Sequence, residues 1–254
     1  MANDRPWAKI FRDYKIDEHD FDASPFEISA EQIKNSCKSF KSTNEKEVRI
    51  LCKQDTRDSR PRVFKDKGLF ILPVKNKFYK IIKGEGYVDI PEIPEVVERY
   101  ASKLDFPLLS SEVGDSEMQH LDFAYASSLI RTFTNDPSLV LTIRGRKFTP
   151  GFSFNVNGFQ LDVASVQTEV DAGYEGKEQI VLIEAKNTKT KDVIIRQLYY
   201  PFRQWSVATG KCVSTLFFQK DHKKGTYSIW QFGFKKEDDY NSIELLKAGK
   251  FRIS

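Results

Sequence analysis

The chain has 254 residues, of which 40% are hydrophobic and 30% charged, and its formal net charge is +4 at pH 7, a balance typical of a soluble globular protein with one large domain or two smaller ones. No apolar run approaches the length of a membrane span and the N-terminus lacks the apolar core of a signal peptide, so we expect a cytoplasmic protein without membrane contact. The three cysteines and three histidines are widely scattered, which argues against a disulfide framework, a zinc site and a His–Cys nucleophile.

Residues 1–110 predict an N-terminal α+β region. Ser29 and Gln32 form a capping-box pattern, which places the start of a helix at residue 30. Gly84-Glu85-Gly86 has neither the GxGxxG spacing nor a helix behind it, so we expect no organic cofactor. In chain order, the predicted elements are an aromatic-rich polar arm, helical segments over 30–40 and 45–53, an exposed loop over 54–62, and strands over 69–74, 78–83 and 87–90.

Positive charge is concentrated in residues 41–83, which hold thirteen Lys or Arg against five Asp or Glu, so the remaining residues together carry −4. A basic stretch beside an acidic remainder is typical of a surface that binds phosphates and a separate metal pocket, although solvated surface charge gives the same pattern. Guanidinium groups pair bidentately with phosphates and guanine edges. The candidate DNA-binding residues are Arg57, Arg60, Arg62, Lys77 and Lys80, with Lys189 from the second half.

Prolines and small polar residues between 91 and 117 place a domain junction near residue 110, so residues 111–254 form the second predicted domain. Asn157-Gly158, between two alternating apolar runs, is a strong hairpin signal. The predicted elements of this half are a helix over 116–133, strands over 138–144, 152–156, 159–163, 166–171 and 180–186, a helix over 192–205, and a hairpin of strands over 212–219 and 226–234.

The predicted hairpin over residues 166–186 carries the most informative side chains. Its first strand ends at Asp171, a polar turn spans 172–179, and the second strand runs from an apolar segment into Glu184 and Lys186. Charged groups at the end of a buried strand are costly without partners or a metal. Two carboxylates and one ammonium group on a rigid sheet suit a divalent cation beside a phosphate.

Asp171, twelve intervening residues and Glu184-Ala185-Lys186 together resemble the PD-(D/E)xK nuclease motif, and the chain resembles a type II restriction endonuclease over roughly residues 117–234. The context of the motif supports this resemblance. A hairpin carries the motif, an apolar strand leads into it, and a helix with Gln197 follows. Val170 stands where the literal pattern has proline.

The resemblance implies an α/β (α+β) fold with a restriction-endonuclease-like core, in which a central mixed β-sheet is flanked by helices. It also implies Mg²⁺-dependent hydrolysis of double-stranded DNA, with Mn²⁺ as a substitute metal and 5′-phosphate products. Asp171 and Glu184 would bind the metal, and Lys186 would orient or help deprotonate the attacking water. Glu117 would approach the metal site, and Gln197 would reach toward the scissile phosphate or Lys186. A palindromic DNA site would be matched by a two-fold homodimer.

Several alternatives stay open at this stage. Asp162 rivals Asp171 as a metal ligand, and Glu169 lies two residues before Asp171 as a supporting carboxylate. Glu117 equally suits the positive end of a helix dipole, and Gln197 equally suits an incidental place on a packed helix. The chain also fits a repair, recombination or modification-dependent nuclease with the same core, or a DNA-binding protein without catalytic activity.

Overall fold

The computed structural model describes residues 3–254. Among these residues the α-helices are α1 (Asp4–Asp13), α2 (Ala30–Ser36), α3 (Val48–Leu51), α4 (Arg62–Asp66), α5 (Glu117–Ala126), α6 (Leu129–Thr134) and α7 (Arg196–Thr209). The strands are β1 (Phe26–Ser29), β2 (Leu69–Lys75), β3 (Phe78–Lys83), β4 (Tyr87–Asp89), β5 (Glu98–Tyr100), β6 (Val140–Phe148), β7 (Phe152–Val156), β8 (Phe159–Val163), β9 (Gln167–Glu175), β10 (Gln179–Lys186), β11 (Asp192–Ile194), β12 (Cys212–Asp221), β13 (Thr226–Phe234) and β14 (Ile243–Ile253). None of the described helices is long and apolar enough to cross a membrane.

A seven-stranded mixed sheet forms the centre of the C-terminal part, in the order β5-β14-β13-β12-β10-β9-β6. Strand β10 runs parallel to β12, and β14 runs parallel to β5, whereas the other neighbours are antiparallel. One face packs against α5 and α6 through Leu121 and Ile130, and the other packs against α7 through Leu198. The prediction of a mixed α/β protein with a large mixed sheet flanked by helices is therefore confirmed.

Strand β10 lies inside this sheet, and its residues 180–185 are buried. Helices cover both faces of the sheet at this position, which explains why the apolar segment is continuous rather than alternating. Val181 and Ile183 pack toward α5 and α6, while Ile180 and Leu182 join a smaller cluster with Trp205 of α7. The part of β10 before Glu184 therefore contacts a neighbouring strand at each edge and helices on both faces.

The N-terminal part is built on the three-stranded sheet β1-β3-β2. One face of this sheet is covered by an apolar cluster that includes Trp7, Ile10 and Phe11 of α1. The indole N–H of Trp7 donates a hydrogen bond of 2.9 Å to the carbonyl of Leu51, which satisfies a buried donor. The aromatic-rich arm predicted at the start of the chain packs back onto the body, and it does so as helix α1, because Trp7, Ile10 and Phe11 have the spacing of one buried helix side.

The other face of the N-terminal sheet joins it to the rest of the molecule. Phe70 and Leu72 of β2 lie in one cluster with Phe154 of β7 and with Tyr199 and Tyr200 of α7. The Tyr200 hydroxyl donates to the carbonyl of residue 73 at 2.9 Å, and the Tyr199 hydroxyl donates to the carbonyl of residue 237 at 2.8 Å. Because both buried hydroxyls have partners, the cluster is stabilised without an unsatisfied polar group.

Several predicted boundaries changed, while the element types mostly held. The capping box at Ser29 and Gln32 is present, with the Ser29 hydroxyl accepting from the Gln32 N–H at 3.1 Å. The helix predicted to begin at residue 192 begins at Arg196, because residues 192–194 form β11 and pair with β4. The helix predicted over 116–133 is interrupted at Ser128, whose φ is +65°. Residues 243–253, beyond the last predicted strand, form the eleven-residue strand β14.

Candidate active site

The site is built where the β9–β10 hairpin opens. The predicted hairpin is present, but both strands extend further than expected and the turn between them spans only residues 176–178. Gly173 lets β9 continue, since an added Cβ would lie 2.7 Å from the Cβ of Ile143 and 3.0 Å from a methyl carbon of Leu182. The paired residues end at Ile183 and Ala172, so the two strands separate next to Asp171.

A register shift in β9 aims the Asp171 carboxylate into the gap between the strands. Ile143 of β6 pairs with Gly173, whereas Gly145 pairs with Val170, so β9 contributes one residue more than β6 at this point. Such a bulge redirects a side chain and ends regular pairing. Asp171 Oδ2 accepts a hydrogen bond of 2.8 Å from the N–H of Ala185. The carboxylate thus takes the role that a backbone carbonyl of β9 would have in a regular strand pair.

Glu184 is the most buried carboxylate of the site, with 8% of its surface exposed. Its Oε1 accepts from Lys186 Nζ at 2.5 Å and from Gln197 Nε2 at 2.6 Å. Burial raises the pKa of Glu184 to about 7, because the attraction of Lys186 only partly offsets desolvation and the nearby Asp171 carboxylate. The positive charge near Glu184 is therefore too small to compensate for the burial of its negative charge.

Asp171 and Lys186 experience the same balance of burial and charge. Burial raises the pKa of Asp171, and the carboxylates of Glu117 and Glu169 add to the increase, while the Ala185 N–H and Lys186 oppose it. Burial lowers the pKa of Lys186, but attraction to Glu184 and Asp171 outweighs burial, so the net shift is upward. Lys186 is therefore an ammonium group held against Glu184 at neutral pH.

Glu117 reaches the site from the first turn of α5. The cap of this helix is Ser116, whose hydroxyl accepts from the N–H of Gln119 at 3.2 Å, so Glu117 is not needed as the cap. Instead, Glu117 Oε1 accepts from the backbone N–H of Asn187 at 3.0 Å, directly after Lys186. The side chain of Asn187 donates to the carbonyl of Asp115 at 2.5 Å. These contacts fasten the start of α5 to the end of β10.

Gln197 lies in the first turn of α7 and contacts Glu184 rather than Lys186. The other end of its amide, Oε1, is buried and has no hydrogen-bond partner among residues 3–254. A buried carbonyl oxygen without a donor is costly, so its position favours a group that is brought in from outside the chain. The structure therefore brings Asp171, Glu184, Lys186 and Gln197 together, with Glu117 beside them.

The two alternative carboxylates have other surroundings. Glu169 is exposed and forms an ion pair of 3.2 Å with Arg146 of β6, close enough to influence Asp171 electrostatically. Asp162 lies on β8, in a separate two-stranded sheet, and its Oδ1 accepts from the Ser153 hydroxyl at 2.6 Å. Asp171 is therefore the one of the three that contacts the Glu184-Ala185-Lys186 segment.

The basic segment over residues 54–62 is largely a loop, as its composition predicts, but it is only partly exposed. Gln54 is only 1% exposed. Arg57 lies against the carboxylates of Glu85 and Asp89 at 3.1 and 2.5 Å. The guanidinium of Arg60 donates to the carbonyl of Leu69 at 3.0 Å. Both guanidinium groups therefore form contacts within the protein, because carboxylates and carbonyls that accept hydrogen bonds lie within their reach.

The other four candidate DNA-binding residues lie on the surface. Arg62 is exposed at the start of α4, 3.4 Å from Asp66, and Lys77 is exposed in the β2–β3 turn. Lys80 of β3 is half-buried and 2.9 Å from Glu27. Lys189 is exposed in the loop that follows β10 and forms an ion pair with Glu92. Of these four residues, Lys189 is the one in the loop that begins where β10, the strand with Glu184 and Lys186, ends.

Sequence reasoning did not connect two of the three histidines. His120 of α5 and His222 of the β12–β13 turn lie with their ring centroids 4.6 Å apart, although they are far apart in the chain. No local pattern signals this contact, because it depends on how α5 packs across β12.

The donor set of the site suits a hard divalent cation. The described residues contain no group of three or more His, Cys, Asp or Glu side chains positioned for a metal. Mg²⁺, however, is commonly held by one or two carboxylates, with water and substrate phosphate completing its ligands. Asp171 and Glu184 supply two such carboxylates, and with Glu117 they outnumber the single ammonium of Lys186. The excess negative charge fits a cation.

Two family models match the chain. One is described as "Domain of unknown function (DUF6997)" and matches residues 82–252, and the other is described as "Domain of unknown function (DUF6996)" and matches residues 4–81. No curated protein and no solved structure matches. The first model includes every residue of the site, and the second includes the N-terminal sheet up to the middle of β3.

Proposed function

The chain belongs to the family described as DUF6997, and from the site within that region we propose that it is a magnesium-dependent endonuclease that hydrolyses phosphodiester bonds in double-stranded DNA. The convergence of Asp171, Glu184 and Lys186 at the opening of one hairpin carries this proposal. The order of these groups along two neighbouring strands is that of the PD-(D/E)xK motif. A restriction-endonuclease-like core is part of the same proposal.

In this proposal Asp171 and Glu184 hold Mg²⁺. When bound, the ion supplies Lewis-acid stabilisation of the charge that develops on the phosphate during hydrolysis. Gln197 is a positioning residue, because its amide donates to Glu184 Oε1 and keeps that side chain in one orientation. Glu117 stabilises the end of the motif strand through the N–H of Asn187.

Lys186 orients the attacking water and a phosphate oxygen. Its ammonium group keeps its proton while Glu184 and Asp171 attract it, so in that state it acts as a hydrogen-bond donor. Once Asp171 and Glu184 are neutralised by Mg²⁺, their attraction for the ammonium group weakens, and the burial of Lys186 then lowers its pKa against Glu117 alone. The same side chain then becomes a better acceptor for the proton of the attacking water.

We infer further that cleavage is sequence-specific, as in a type II restriction endonuclease. The concentration of positive charge in residues 41–83 supports a DNA-binding role for the N-terminal part. By resemblance, the products carry a 5′-phosphate. A two-fold homodimer would match a palindromic site, because the symmetry of the protein then equals that of the DNA.

Digestion of plasmid DNA with and without Mg²⁺ tests the proposal. Discrete bands that require Mg²⁺ support a restriction endonuclease, and end-labelling of these products tests for the 5′-phosphate. Smearing, or cutting confined to modified or branched DNA, would point to the other nuclease classes. Retained DNA binding without any cleavage across Mg²⁺ and Mn²⁺ would refute an enzyme and leave a DNA-binding protein.

A further inference from the structure

A pair of histidine rings lies beside the candidate active site. His120 is 7% exposed on α5, and exposed His222 covers it from the β12–β13 turn. The ring centroids are 4.6 Å apart at an interplanar angle of 68°. The backbone of Asp115 lies close to the His120 ring and opposes the decrease of its pKa, whereas Nε2 of His120 is buried and lacks a partner within residues 3–254. A buried polar atom without a hydrogen-bond partner marks a place where a ligand would supply the missing partner.

Lys220 adds a third cationic side chain to the pair. Its Nζ lies 3.6 Å from the ring centroid of Tyr227, and in the described part of the chain it forms no ion pair with a carboxylate. Burial lowers the pKa of Lys220 to about 8, with Asp221 acting in the opposite direction. Burial also lowers the pKa of His120, and so do the neighbouring His222 and Lys220. The chain therefore gathers three positive or protonatable groups that repel one another.

The position of these three residues relative to the motif is fixed by the sheet register. Strands β10 and β12 are parallel, and Lys186 of β10 pairs with Gln219 of β12. Lys220 is the residue after Gln219, so it lies one position further along the sheet than Lys186. Asn187 connects the two places, since its N–H donates to Glu117 and its side chain donates to the carbonyl of Asp115, whose backbone also influences the pKa of His120. The cluster and the candidate active site thus lie at the same end of the sheet, with Lys220 on the face that α5 covers and Glu184 and Lys186 on the face that α7 covers.

We propose that His120, His222 and Lys220 form an anion site that binds a phosphodiester of the DNA at the end of the sheet where the Asp171–Glu184 site also lies. This inference rests on the proposed function. Protonated imidazole and ammonium groups are donors without acceptor capacity, so they suit the oxygens of a phosphate. A metal is a poorer fit, because Lys220 repels a cation and the described residues contain no third ligand for one.

Histidine NMR titration tests the site directly, because the chain has only three histidines. Their ring-proton signals are assigned from His120→Gln and His222→Gln variants. His19, in the N-terminal part, is the internal reference. The titrations compare sodium chloride, inorganic phosphate and a short DNA duplex, at equal ionic strength and without divalent metal. We expect phosphate and duplex to raise the pKa values of His120 and His222 by about one unit, while that of His19 stays unchanged.

Lys220→Met should remove most of the shift, whereas the matched change Lys177→Met, in the exposed turn at the opposite end of the sheet, should preserve it. Unchanged pKa values of His120 and His222 with phosphate and duplex in the wild-type protein would overturn the inference and indicate that the rings only pack together. A shift with phosphate alone would also overturn it, because the site would then accept a free anion rather than DNA. The titration uses neither metal nor cleavage, so its failure is distinct from a negative plasmid digest.

Discussion

The buried carboxylate of Glu184 lowers the stability of the fold, and it is also one of the two candidate metal ligands of the site. A carboxylate with 8% exposure is stabilised in water far better than at the end of an apolar strand. Its only described hydrogen-bond donors are Lys186 and Gln197, both on the same oxygen. Replacing this carboxylate by a neutral amide should therefore remove its contribution to the pH dependence of stability and abolish function.

The metal-free protein should lose stability as the pH rises from about 4.5 to about 7, because the pKa of Glu184 is raised over this interval on folding. A group that binds its proton more tightly in the folded state stabilises the fold most when protonated, and that contribution disappears as it ionises. Thermal unfolding of wild type and Glu184→Gln at pH 4.5 and 8 measures the effect.

We expect Glu184→Gln to lose less stability than wild type between the two pH values, because the titrating carboxyl group is absent. Added Mg²⁺ should stabilise wild type at pH 8 and leave the variant unchanged, because ligands that bind only the native state raise its stability. Equal pH profiles of the two proteins would argue against the burial of this charge.

Lys186→Ala should reduce DNA cleavage at least about a hundredfold, because it removes the donor that orients the attacking water. Specific DNA binding should persist, since this side chain faces Glu184 and not the basic N-terminal segment. Cleavage rates and gel-shift affinities measure the two effects separately. Lys177→Ala, at the other end of the same hairpin, is the matched control, and cleavage by Lys186→Ala at the wild-type rate would disprove the site assignment.

At the scale of elements, the β9–β10 hairpin decides where the chemistry can occur. Periodicity predicted both strands, since alternation and apolar runs are local properties of the sequence. It did not predict the true turn at residues 176–178, because Gly173 and Tyr174 belong to β9 through their pairing with β6 and β10 and not through a local pattern. The bulge that aims Asp171 at the Ala185 N–H likewise arises from pairing with β6.

Comparing Asp171→Ala with Asp162→Ala tests this arrangement of elements. We expect the first substitution to abolish metal-dependent cleavage, because Asp171 is hydrogen-bonded to the motif strand itself. The second should leave cleavage nearly unchanged, because Asp162 belongs to the separate β7–β8 hairpin and bonds Ser153. Calorimetric Mg²⁺ titrations of both variants provide a readout besides activity. The opposite order of effects would transfer the metal site to β8.

At the scale of the whole molecule, the regions matched by the two family models share a core. Phe70 and Leu72 come from the first region, and Phe154, Tyr199 and Tyr200 come from the second. Aromatic rings dominate this contact, with the Phe154 centroid 5.2 Å from Tyr199 and 5.9 Å from Tyr200. The N-terminal sheet is therefore packed onto α7, the helix that also holds Gln197 against Glu184.

Phe154→Ala should destabilise the protein by about 3–5 kcal/mol, because it removes a buried ring from the middle of this shared core. Differential scanning calorimetry should show one cooperative transition in wild type, since the two regions do not have separate cores at their contact. Phe148→Ala, which alters an exposed ring of β6, is the control and should change stability little. Two well-separated transitions in wild type would contradict the shared core.

The sequence by itself determined most strands, the capping box at Ser29 and the hairpin that carries Asp171, Glu184 and Lys186, because periodicity, caps and turns depend on neighbouring residues. The family resemblance placed Glu117 and Gln197 near this hairpin. Only the tertiary structure decided that Arg57 is held by Glu85 and Asp89, and that His120 meets His222. Such contacts join segments that are distant in the chain, and they form only when sheet register and helix packing bring the segments together.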